Sequence, residues 1–104
     1  MPVVVIVGYR PKPGCDVLLA ELMKTHVQRL RDEGLATERP SIVMRAKDGT
    51  FVEVFEWISE DAMRAAHSNP QVHVMWEEYA AVCDYIPVAE LPEAQQLFSQ
   101  FEPI

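Results

Sequence analysis

One stretch of this chain is apolar on both of its alternating faces, and that feature limits the folds open to it. In Phe51 to Ile58, Phe51, Phe55 and Trp57 lie on one side of an extended chain, and Val52, Val54 and Ile58 on the other. Val3 to Arg10 repeats the pattern, with Val3, Val5, Val7 and Tyr9 against Val4 and Ile6. Strands of this kind sit inside a sheet that is covered on both faces. With 104 residues the chain has room for one core, so residues 1–104 read as a single domain.

The remaining elements follow from punctuation. Pro11-Lys12-Pro13-Gly14 ends the first strand, Asp16 is placed to cap a helix running to about Glu33, and Gly34 stops that helix. Pro40 to Lys47 reads as a second strand, joined through an Asp48-Gly49 hairpin to the strand Phe51 to Ile58. Ser59 caps a second helix that Asn69-Pro70 must break, and helix resumes from Gln71 to about Asp84. Pro87 and Pro92 mark a connector, and Leu97 to Pro103 is the expected closing strand. The order is β-α-β-β-α-β, an α+β, ferredoxin-like antiparallel sheet with both helices on one face. Two helices cover one face only. Four strands roughly 4.8 Å apart and about 17–20 Å long would leave some 300–400 Å² of apolar sheet bare. A patch of that size marks an interface, and a homodimer that packs sheet against sheet is the simplest cover.

Charge and composition exclude several function classes. The formal net charge of −7 repels phosphate, which argues against nucleic acid as a partner. No apolar run approaches the length of a membrane span, and Val3 to Val7 lacks the basic flank of a signal peptide. The two cysteines, Cys15 and Cys83, make no metal-type pair and read as free thiols of a reducing cytoplasm. None of the three histidines is spaced from another as metal ligands are, so neither a metal nor any other cofactor is expected.

The candidate site residues are polar or aromatic side chains on core-facing positions. His26 falls within the apolar stripe Leu18, Leu19, Leu22, Met23 and Leu30 and should point at the sheet. It is either a core histidine satisfied by a neighbour or a pocket base. Glu53, in mid-strand beside Phe55 and Trp57, needs a buried partner, with His26 or Arg45 as candidates, whereas Glu56 lies near a strand end where it can reach water. His67, just before the Asn69-Pro70 break, could bind a ligand or simply end a helix; His73 reads as surface. Trp57, Trp76 and Tyr79 are either core or the wall of a site for a flat apolar ligand.

The early apolar strand, the Pro-Lys-Pro-Gly turn, the strand Phe51 to Trp57, Ser59-Glu60-Asp61-Ala62 and Ala66-His67-Ser68-Asn69-Pro70 together resemble the antibiotic-biosynthesis-monooxygenase-like group of dimeric α/β-barrel proteins. The likeness runs from residue 3 to about 84, and the tail is compatible with a final strand. It implies a dimer with a pocket between sheet and helices, in which His67 matches the histidine that often ends the first half of the second helix and Trp76 falls in the segment that lines the pocket. The haem-degrading branch of that group has an asparagine on its first strand where this chain has Val7, so the resemblance does not extend to haem chemistry. The expected function is a cofactor-independent oxygenase acting on a small, flat, apolar or aromatic substrate. Catalysis would fall to His26, His67 and Glu53, and binding to Trp57, Trp76 and Tyr79. The alternative is a non-catalytic dimeric ligand-binding or stress-related module.

Overall fold

The computed structural model describes residues 1–104. Five strands and four helices follow one another as β1 (Val3–Pro11), α1 (Asp16–Met23), α2 (His26–Asp32), β2 (Ile42–Arg45), β3 (Phe51–Trp57), α3 (Glu60–Ala66), α4 (Pro70–Ala80), β4 (Cys83–Ile86) and β5 (Glu102–Pro103). The strands form one antiparallel sheet in the order β4-β1-β3-β2-β5. Its first four strands have the ferredoxin-like arrangement expected from the sequence.

The strand that closes this arrangement is β4, which pairs Tyr9 with Tyr85 and Pro11 with Cys83. The sequence pattern had carried the preceding helix through to about Asp84 and put the closing strand at Leu97 to Pro103. Only Glu102–Pro103 of that segment is strand, and it pairs with β2 at the opposite edge of the sheet. The first long helix is also two helices. It breaks at Lys24 and Thr25, so His26 opens α2 instead of lying in mid-helix. Asp16 is the first residue of α1 and does not cap it; Cys15 precedes it without a side-chain cap.

Other local signals act as read. Ser59 Oγ accepts from the Ala62 N–H at the start of α3. Asn69 Oδ1 accepts from the N–H groups of Gln71 and Val72, with Pro70 at the first position of α4. Gly34 takes a φ of +73° after α2. The β2–β3 hairpin has three loop residues where two were expected. Ala46 and Thr50 close it, and Gly49, at φ +92°, occupies the left-handed position such loops require.

The main core lies between the helices and the face of the sheet formed by Tyr9, Phe51, Phe55 and Trp57. Leu19, Met23, Val27 and Leu30 reach it from α1 and α2, and Ala66, Val72, Met75 and Tyr79 from α3 and α4. Leu18 faces solvent and does not join that stripe. On the other face of the sheet, the 3-10 turns Val88–Glu90 and Pro92–Gln95 lay Leu91 against Ala46 and Val52. This strap covers one end of the face. Val4, Ile6 and Ile42, each more than half exposed, remain bare.

Candidate functional site

β1, β3 and α2 bring three polar side chains together beneath the helices. Val7 lies opposite Glu53 on β3, so Tyr9 and Glu53 point to the same side two residues apart along the ladder. The Tyr9 hydroxyl donates to Glu53 Oε1 at 2.9 Å. His26, 5% exposed at the start of α2, places its Nδ1 2.7 Å from the same oxygen. The ring N–H is not directed along that line, so the contact has ion-pair distance without hydrogen-bond alignment. Glu53 is fully buried and its Oε2 has no partner. The mid-strand carboxylate thus finds His26, one of its two expected partners. Arg45 turns away and lies over the Phe51 ring, 4.9 Å from its centre.

Aromatic rings enclose this cluster. The imidazole of His26 meets Phe55 edge-on at 5.4 Å and Tyr79 at 5.3 Å between ring centres. Burial, and next to it the charge of Glu53, hold the Tyr9 phenol well above its ordinary range, and the hydrogen bond to Glu53 adds to the effect. Burial and Glu53 push Tyr79 in the same direction. Both side chains are therefore neutral phenols at any working pH.

In front of His26 a cavity of about 330 Å³ opens between sheet and helices. Its walls are mainly Val7, Leu30, Phe55, Trp57, Trp76 and Tyr85, with the Tyr9, His26 and His67 rings adding the polar groups. His67, exposed just after α3, sits on the rim with its ring centre 5.2 Å from that of Trp76. Of the expected site residues, the cavity joins His26, His67, Trp57 and Trp76. Glu53 stands behind His26, out of reach of a ligand in the cavity. Tyr79 is fully buried behind the imidazole and forms no part of the wall, because its position on α4 faces β1 and α2.

Among the wall residues that the sequence did not assign to a site, Tyr9 and Tyr85 carry polar groups. Tyr9 looked like one more inward residue of β1, though its hydroxyl at the end of an apolar set was a signal that it needed a partner. Tyr85 falls just past the expected helix end at about Asp84, with no element assigned to it; as part of β4 it faces Tyr9 at 5.5 Å. Glu56 also differs from expectation. Thr37 Oγ1 and Arg39 Nε donate to its two carboxylate oxygens, and its side chain is only 11% exposed. His73 is exposed as expected, with Nε2 against the His67 carbonyl. No group of three or more His, Cys, Asp or Glu side chains could hold a metal ion, and no helix is long and apolar enough to cross a membrane.

No protein-family model matches the chain, and no curated protein sequence matches it significantly. Solved structures do. SnoaB, a cofactor-independent oxygenase from Streptomyces nogalater, superposes with a TM-score of 0.68 at 14% identity, over 82% of this chain and 86% of that one. Rv0793 from Mycobacterium tuberculosis gives 0.64 at 19% identity, over 83% and 89%. An antibiotic biosynthesis monooxygenase gives 0.62 at 22% identity, over 83% and 92%. Identities this low speak for architecture, and on that evidence the chain has the fold of the antibiotic-biosynthesis-monooxygenase-like proteins.

Proposed function

We propose that this chain is a cofactor-independent oxygenase for a small, flat, apolar or aromatic substrate, held in the cavity between sheet and helices. The observation that carries the reading is His26, a histidine on the wall of an apolar cavity with a buried carboxylate 2.7 Å behind its Nδ1. This is how a general base is arranged, with the ring held from one side and free to work from the other. SnoaB, a structural neighbour, is a cofactor-independent oxygenase, which supports the same class.

The chemistry would run on the substrate's own electrons. His26 takes a proton from an activated CH₂ or phenol, and the aromatic walls exclude water from the resulting anion. The anion passes one electron to dioxygen, and the radical pair combines to form a C–O bond. The peroxide then loses water as its O–O bond breaks and the second C–H proton leaves, giving a carbonyl. One CH₂ and one O₂ become one C=O and one H₂O, and the substrate supplies the two electrons that reduce the second oxygen atom. Trp57, Trp76 and Phe55 supply flat surfaces for the ring system. His67, at the rim, is placed to meet a polar substituent at the mouth.

The test is oxygen uptake by purified protein stripped of flavin, haem and metal, with anthrone- and quinol-like substrates. Uptake should occur, and His26→Ala should lower turnover about 10²–10⁴-fold, the usual contribution of a general base. Uptake by no substrate of a broad panel would replace the oxygenase with a ligand-binding module in which His26 and Glu53 are only a buried pair, and full activity in the folded variant would remove His26 as the base.

A further inference from the structure

We infer that Tyr9 is a positioning residue for His26. By donating its hydroxyl to Glu53 Oε1 it keeps that oxygen an acceptor, which places the proton of the neutral imidazole on Nδ1 and leaves Nε2 as the basic nitrogen toward the cavity. The inference rests on the reading of His26 as the base, but its physical core does not depend on any substrate.

Two bare acceptor atoms 2.7 Å apart repel, so either His26 Nδ1 or the Glu53 carboxyl group carries a proton. Tyr9 decides between them. Its hydroxyl is 2.9 Å from Oε1 and has no other side-chain partner, so it donates there. A proton on Oε1 would face that donor and make the oxygen a poorer acceptor for it. A proton on Oε2 would find no acceptor, because Oε2 is buried and unpartnered. The arrangement that best suits these contacts is a carboxylate whose Oε1 accepts from Tyr9 O–H and attracts the Nδ1–H of His26 across 2.7 Å, although that N–H is not aligned with it.

Tyr9 also fixes where the carboxylate stands. Its bond is the one aligned hydrogen bond that the Glu53 side chain makes, since the imidazole N–H lies off the line to Oε1. Without Tyr9 the carboxyl group could turn about its last torsion, which is broad for glutamate, and the proton would lose its assigned place on the ring. The burial that keeps Tyr9 a phenol means that its role as donor does not change with pH across the working range.

The experiment is nitrogen-15 NMR of the imidazole ring, at a pH where His26 is neutral. Wild-type protein should show Nδ1 protonated and Nε2 bare. In Tyr9→Phe the Nε2–H form should rise from a minor to at least an equal population, with the backbone spectrum unchanged. Glu53→Met, which fills similar volume without an acceptor, should give the same shift and stands in if Tyr9→Phe does not fold. Nε2–H as the major form of wild-type protein, or an unchanged tautomer in either folded variant, overturns the proposal. Turnover supplies a separate arm. Tyr9→Phe should lower kcat about tenfold, the scale of one lost hydrogen bond. If wild-type protein consumes no oxygen, the oxygenase reading fails, and the ring signals still decide whether Tyr9 sets the tautomer.

Discussion

Glu53 puts a carboxylate where water does not reach, between two aromatic residues of its own strand. Its substitution should separate a structural from a functional role. Glu53→Gln keeps an oxygen for Tyr9 to donate to and removes the charge behind His26. If that charge stabilises the protonated imidazole during turnover, activity per folded molecule should fall at least about tenfold while the melting temperature moves little. A large drop in melting temperature with activity per folded molecule intact would leave Glu53 a purely structural residue. Cys83 gives a second residue-level prediction. Burial, with the charge of Asp84 adding to it, pushes its thiol up to about 11, and the residue is 2% exposed. Iodoacetamide at pH 8 should therefore alkylate the half-buried Cys15 and spare Cys83 until the protein unfolds. Equal labelling rates, followed by mass spectrometry, would contradict the burial of β4. At this scale the sequence was informative about His26 and Glu53, because a charged or basic group on a core-facing position must be satisfied. It gave only a weak signal for Tyr9, since a tyrosine on an apolar strand fits a core position whether or not its hydroxyl has work to do.

β4 and the strap after it are where element-level reading failed. Between Ala80 and Cys83 there is no glycine or proline, and the helix ends on Ala81 in ordinary helical geometry. Val82, Cys83, Tyr85 and Ile86 are apolar enough to continue a helix as well as to form a strand, and only pairing with β1 settles the matter. That pairing leaves a mark at Gly8. A Cβ there would stand 2.7 Å from both Cγ1 and the carbonyl oxygen of Ile86. Gly8→Ala should push β4 outward and lower stability, with faster amide exchange on Cys83 to Ile86 as the readout. The strap was read as mere connector because its one fully buried residue, Leu91, lies between prolines and lacks any period. Leu91→Ala should cost about 2–5 kcal/mol in chemical denaturation, since it empties the centre of the second core cluster. The helices have their own link, in which Arg29 on α2 donates two hydrogen bonds of 2.9 Å to the Glu78 carboxylate on α4. Those bonds outweigh the opposing effect of burial and, with the Arg29 charge adding to them, hold Glu78 below its usual value of 4.5. Its contribution is therefore full above about pH 4.5 and fades as the pH falls through the lowered value. With the Glu78 side chain 39% exposed, Glu78→Gln should cost no more than about 1 kcal/mol at pH 7, and nothing at pH 2.

For the molecule as a whole, the bare end of the outer sheet face supports the homodimer. Val4, Ile6 and Ile42 are 54%, 51% and 58% exposed, and the strap leaves all three uncovered. Sedimentation at micromolar concentration should give about twice the 11.8 kDa of the chain, and Ile6→Glu should return it to one copy. A monomeric wild-type protein would remove the case for the dimer. The doubly apolar strands announced this surface correctly, but they could not show that the chain itself covers part of it.

Along β3 the two roles of the sheet are carried by adjacent residues. Glu53 faces the helices, behind His26, and Val54 and Val52 face the other way, toward the strap and the bare patch. Backbone spacing alone separates the carboxylate behind His26 from the methyl groups of the opposite face. Substitutions on the two sides can therefore accumulate independently, each judged by its own surface. A one-residue insertion within β3 could not be absorbed in that way, because beyond the insertion point it would exchange every side chain between the two surfaces and spoil both at once.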